Sequence, residues 1–206
     1  MREAINSCLV SLPPGSATFC EVVALTALRT ATLDDLYSLF PDRSDEPFVE
    51  PISASELPQP YRQLLDHTKH MTVTVEKFYG QSVDVQVLES WHHGDDYARK
   101  ILLSLQNTGA VVQFGIVRID LRVLSPKVRR EIEEQHTPLG RVLIQNNVLR
   151  EVHPTGFFRA TPSPVMCNWF GLSEPEITYG RIGVITADGK PAIRVAEILT
   201  PIKGEG

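Results

Sequence analysis

Apolar and polar residues that alternate with period two mark half-buried strands, whereas apolar residues recurring every three or four positions mark a helix face. Thr72-Val73-Thr74-Val75-Glu76-Lys77 and Ser82-Val83-Asp84-Val85-Gln86-Val87 alternate on either side of Gly80, which predicts an antiparallel hairpin. Residues 97–105 and 111–123 predict two further strands joined across Asn107-Thr108-Gly109. Near the end, Ala187-Asp188-Gly189-Lys190 separates apolar residues 181–186 from 192–199, and Asp-Gly is a strong short-hairpin signal. Helix signals fall between these strands. Residues 61–67 have helical spacing. Ser125-Pro126 supplies a cap and a first-turn proline for a helix reaching Glu134. Thr137-Pro138 opens a shorter helix over 139–144, with Leu139, Val142 and Leu143 on one face. Strands that come as hairpins with helices inserted predict an α+β fold on a single antiparallel sheet, not a doubly wound parallel one.

The first sixty residues break this pattern. Seven of the chain's fifteen prolines lie there (Pro13, Pro14, Pro41, Pro47, Pro51, Pro58 and Pro60), so regular structure is expected to be short. Thr32 is placed to cap a helix over 33–40 that Pro41 stops, with Leu33, Leu36, Leu39 and Phe40 on one face. The expected organisation is a single domain over 1–206, with a proline-rich N-terminal extension at 1–60 and a core at 61–202.

Composition narrows the classes. Twenty basic against twenty-five acidic residues leave a net charge of −5, so no global field draws the chain to nucleic acid or anionic lipid. The early apolar stretches are too short and too interrupted for a signal peptide or a membrane span. Cys8, Cys20 and Cys167 have no C-x-x-C spacing, which fits a reducing cytoplasm, with a Cys8–Cys20 bridge left open. The expectation is a soluble cytoplasmic protein, with a monomer as the default state.

Two charges sit on the wrong face. Parity groups Arg99 with Tyr97, Ile101, Leu103 and Leu105, so Lys100 is the expected solvent charge and Arg99 the anomaly. Glu197 falls with Ile193, Val195 and Leu199, while Arg194 falls opposite. A buried charge needs a partner. Either Arg99 and Glu197 neutralise each other, or they share a cavity in which the guanidinium holds a carboxylate and the carboxyl handles a hydroxyl or a proton.

At these residues the chain resembles the chorismate lyase family over roughly residues 65–201. The blocks occur in family order: Asp66-His67-Thr68-Lys69-His70-Met71-Thr72, Tyr97-Ala98-Arg99-Lys100-Ile101-Leu102-Leu103, Thr137-Pro138-Leu139-Gly140-Arg141-Val142-Leu143, and Tyr179-Gly180-Arg181 followed by Gly189-Lys190-Pro191 and Glu197-Ile198-Leu199-Thr200-Pro201. The resemblance implies inserted helices covering a buried ligand cavity. It also implies a cofactor-free carbon–oxygen lyase that splits chorismate into pyruvate and 4-hydroxybenzoate, a precursor for quinone biosynthesis. In that reading Glu197 and Arg99 are catalytic. Met71, Leu139 and Gly140 complete the pocket, and Arg181 takes the enolpyruvyl carboxylate. The alternatives are a non-catalytic module of the same fold that binds small aromatic acids, and a lyase giving a different hydroxybenzoate. The N-terminal sixty residues have no counterpart in the family, and the two extra residues before Met71 and the long stretch 152–176 alter segments that would cover the cavity.

Other candidate sites carry the bland reading. His67 and His70 lie at helical spacing, and His92-His93 precedes Asp95-Asp96, but no established metal motif is present, so no metal site is expected. Lys127-Val128-Arg129-Arg130 is followed at once by Glu131, Glu133 and Glu134 and reads as a solvated helix face. Cys167 reads as a small buried hydrophobe. No cofactor and no nucleic-acid partner are expected.

Overall fold

Asp188 and Gly189 both adopt positive φ, 49° and 76°. A two-residue turn between twisted strands requires this, and so the last two strands close as a hairpin. The computed structural model describes residues 32–202. Cys8 and Cys20 lie outside the described residues. The elements run α1 (Leu33–Tyr37), β1 (Phe48–Ile52), α2 (Tyr61–Leu65), α3 (Met71–Tyr79), β2 (Val83–His93), β3 (Asp96–Leu105), β4 (Val111–Asp120), α4 (Pro126–Glu133), α5 (Leu139–Gln145), β5 (Arg150–Thr161), α6 (Pro164–Phe170), β6 (Thr178–Ala187) and β7 (Lys190–Leu199). The seven strands form one sheet in the order β1-β5-β6-β7-β4-β3-β2, with every neighbouring pair antiparallel. This is the expected α+β architecture, a single antiparallel sheet with helices inserted over a cavity. No helix among the described residues is long and apolar enough to cross a membrane.

Local chemistry sets most boundaries. Thr32 caps α1 by accepting from the Asp35 N–H, and Asp35 returns the bond to the Thr32 N–H at 2.7 Å. The Ser125 hydroxyl accepts from Val128 N–H at the start of α4, with Pro126 in the first turn. Ser163 and Pro164 do the same for α6.

The hairpin expected around Gly80 does not form. Residues 72–77 belong to helix α3, and β2 pairs with β3 instead. The alternating Thr and Val fit a strand, but Met71 and Val75, one helical turn apart, pack with Leu64, Leu65, Ile101 and Leu103. That burial outweighs the weak intrinsic reluctance of β-branched residues to form helix. Gly80, at φ 65°, ends the helix in the left-handed conformation. Residues outside the clear sequence pattern also join the sheet. Residues 48–52 form edge strand β1, where Pro51 is tolerated, and β5 passes Pro154 through a register shift between Pro154 and Gly156.

The sheet is covered on both faces. On one, α2, α3, α4 and α5 pack over Tyr97, Ile101, Leu103, Val117 and Val195. On the other, α1 and α6 pack over Ala98, Leu102, Phe114, Ile116 and Ile198. The second cover corrects the expectation for Lys100. It is 2% exposed, donates to Asp45 Oδ1 at 2.9 Å and Asp42 O at 2.7 Å, and lies 4.9 Å from the Phe40 ring centre. The proline-rich segment brings its own carboxylate to a charge that parity had assigned to water.

Candidate functional site

Two helix starts meet above the middle of the sheet. His70, Met71 and Thr72 open α3, and Pro138, Leu139 and Gly140 open α5. A β-carbon at Gly140 would stand 3.1 Å from His70 Cβ and 3.2 Å from Thr72 Oγ1, so glycine lets the two ends approach closely and a side chain there would push its neighbours aside by a few tenths of an ångström. Beneath them lies a cavity of about 40 Å³, floored by Ile101 and Leu103 of β3, Gln113, Gly115 and Val117 of β4, and Val195 and Glu197 of β7. It has room for roughly three waters.

The structure brings Met71, Leu139, Gly140 and Glu197 together on this cavity, whereas Arg99 and Arg181 do not line it. Arg99 pairs with Val117, which pairs with Val195, two residues before Glu197. The two sites are therefore on the order of 12 Å apart at Cα, two strand spacings across and two residues along. The expected Arg99–Glu197 contact is not made. Glu197 accepts from Arg181 Nε at 2.6 Å, its direct cross-strand neighbour. Arg181 is 1% exposed and also donates to the carbonyls of Leu65, His67 and Lys69 at 3.0, 3.0 and 3.3 Å. It pins the 65–69 loop to the sheet, so it is largely committed before any ligand carboxylate arrives.

Arg99 is different. It is 1% exposed, its NH1 donates to Ile132 O at 3.3 Å, and its Nε has no partner among the described residues. Burial draws its pKa down from the usual arginine value, partly offset by the adjacent Tyr97 hydroxyl. No carboxylate among the described residues forms an ion pair with it.

Gln113 was not visible as a site residue. It is 2% exposed and lines the cavity, and its Oε1 has no hydrogen-bond partner among the described residues. The signal was available. In Val111-Val112-Gln113-Phe114-Gly115-Ile116-Val117, Gln113 is a polar residue on the same apolar face that singled out Arg99.

His67 and His70 sit on the loop between α2 and α3, not on a helix. Burial, then Arg150 and Arg181, hold the His70 pKa down to about 4, and its Nε2 accepts from Arg150 Nε at 2.7 Å. Burial, then Arg181, also lowers His67. Cys167 is a free, buried thiol whose pKa burial pushes up.

No family model matches the chain, and no curated protein matches it. Among solved structures it is similar to the effector domain of PhnF from Mycobacterium smegmatis, with a TM-score of 0.48 and 10% identity over 73% of this chain and 91% of that one. It is also similar to the gene product SA0254 from Staphylococcus aureus (TM-score 0.44, 10% identity, 60% of this chain and 85% of that one). A third is the possible transcriptional regulator YydK from Bacillus subtilis (TM-score 0.41, 9% identity, 57% of each chain). At these values the likeness transfers no function.

The expectation of an enzyme is corrected. The lyase reading requires Arg99 and Glu197 to act together on one substrate, but Arg99 does not line the cavity and Glu197 is bound to Arg181.

Proposed function

We propose that the chain is a non-catalytic module that binds a small aromatic acid carrying a hydroxyl group, in the cavity between β3, β4 and β7 and the starts of α3 and α5. The observation that carries the reading is Gln113, a buried carboxamide on the cavity wall whose Oε1 has no partner among the described residues. Leaving such a group unsatisfied costs about 1–3 kcal/mol, which a ligand donor restores. The remaining lining gives the class of ligand. Ile101, Leu103, Val117, Ile185 and Val195 offer a flat apolar wall for a ring. Gln113 and the second oxygen of Glu197 offer acceptors for a hydroxyl. The start of α3 has no side-chain cap, so its first N–H groups are open to an anion. A carboxylate reaching past Val117 supplies the counter-ion that Arg99 lacks.

A cavity of about 40 Å³ does not hold a ring, so binding requires the starts of α3 and α5 to part where Gly140 meets His70 and Thr72. Isothermal titration with 4-hydroxybenzoate tests the reading. Wild type is expected to bind, and Gln113→Met to lose about tenfold or more in affinity. Absence of binding to wild type, or equal affinity in the variant, refutes it.

A further inference from the structure

The inner cavity has a neighbour. On the outer side of His70 lies an open cleft of about 570 Å³, between the 68–70 loop, the α3 surface and the turn into β5. His70 lines both spaces. Exposed Val73, Ile144 and Leu149 form the apolar side of the cleft, Lys69 and Arg150 its polar side, and no Asp or Glu lines it. In a chain of net charge −5, this is a local concentration of unneutralised positive charge beside apolar surface.

Arg150 is only partly committed. Its NH1 donates to Val148 O at 2.8 Å and its Nε to His70 Nε2 at 2.7 Å, while its NH2 has no partner among the described residues. The edge that would grip a carboxylate with two parallel bonds is the Nε–NH2 edge. Half of that edge is held by His70, so an arriving carboxylate must take Arg150 Nε from the imidazole. The geometry points to the outer cleft as a second binding site, for the carboxylate end of a small amphipathic anion, whose occupation releases His70 from Arg150. The two sites are thus neighbours, and His70 is the wall between them. The proposal rests on the inner-cavity reading only for its choice of probe.

The test is a titration of the ¹⁵N-labelled full chain with 4-hydroxybenzoate at low salt, followed by NMR. The amides of Val73 and Leu149 are expected to shift, and the His70 imidazole nitrogens to move with the same Kd as Arg150 lets go. Arg150→Gln should raise that Kd about tenfold or more, through the lost charged hydrogen bonds. Lys69→Gln, at an exposed position where folding is not at risk, should raise it about twofold. Gln113→Met should raise the Kd read at Gly115 and Leu139 about tenfold or more while leaving that read at Val73 and Leu149 unchanged. Outer amides that do not move, or a Kd unchanged in both outer variants, overturn the proposal. Outer shifts without inner ones sustain it and sink the inner-cavity reading instead.

Discussion

Replacing Gln113 by methionine should make the ligand-free protein more stable, because a side chain that serves a ligand is a burden without one. The carboxamide is 2% exposed, and Oε1 lacks a partner among the described residues. Methionine has nearly the same length and volume, so the change removes a polar end without opening a void. An unsatisfied buried polar atom costs about 1–3 kcal/mol, and trading it for an apolar group of similar shape recovers part of this. The expected gain is about 1–2 kcal/mol. For a protein of this size each kcal/mol moves Tm by about 2–4 °C, so the rise should be about 2–8 °C. Urea unfolding at pH 7.5 with unchanged m, together with calorimetry, measures it. Gln113→Ala serves as the control. It removes the same polar atom but leaves a cavity, so it should be less stable than Gln113→Met. A Gln113→Met protein less stable than wild type would show that the carboxamide contributes to the fold, and would refute the reasoning.

Three further outcomes follow from the same geometry. Gly180→Ala should lose about 3 kcal/mol by urea unfolding, because a β-carbon there meets the Phe158 ring at 2.5 Å and Glu197 O at 2.7 Å. Arg181→Met should lose about 3–5 kcal/mol by orphaning Glu197 and, by freeing the carbonyls of the 65–69 loop, should speed proteolytic cleavage there. His70 titrates near 4 when folded against 6.5 when unfolded, so the unfolded chain binds the extra proton between those values. Its contribution is full above about pH 6.5 and is lost as pH falls towards 4, by up to about 3 kcal/mol, so the drop in stability from pH 7.5 to 4 should be smaller by that amount in His70→Gln.

Much of the sheet was legible because its signals are local. The Asp188-Gly189 turn, the Asn107-Thr108-Gly109 connection and the Ser125-Pro126 helix start each depend on residues within a few positions. Residues 72–77 were misread because alternating Thr and Val satisfies both periods, and only the packing of Met71 and Val75 under α2 decides between them. Lys100 was misread because parity names a face but not its cover, and the cover came from the proline-rich segment 32–47. Met71, Leu139, Gly140 and Glu197 do converge on one cavity. The partner of Glu197 was not legible because the β6–β7 register, which sets Arg181 directly opposite it and leaves Arg99 two strands away, includes a shift between Ile185 and Thr186 that the local turn signal does not show.

Arg99 and Arg181 show why burial alone could not sort the site from its scaffold. Both are 1% exposed, both lie on strands, and both break the rule that charges face water. Arg181 has a carboxylate at 2.6 Å and three backbone carbonyls, all from one loop and one neighbouring strand. Its desolvation is offset within the fold, and it needs nothing further. Arg99 has one long bond to the Ile132 carbonyl and an unpartnered Nε, and beyond Val117 on the same face Gln113 is likewise unpaired. Two unsatisfied buried groups on one face of the sheet, of which Gln113 lines the cavity and Arg99 does not, are costly to a fold that gains nothing from them. They form a coherent pair once a ligand with a carboxylate at one end and a hydroxyl at the other lies between them. Satisfaction, not placement, separates the arginine that builds the structure from the one that supports the ligand reading.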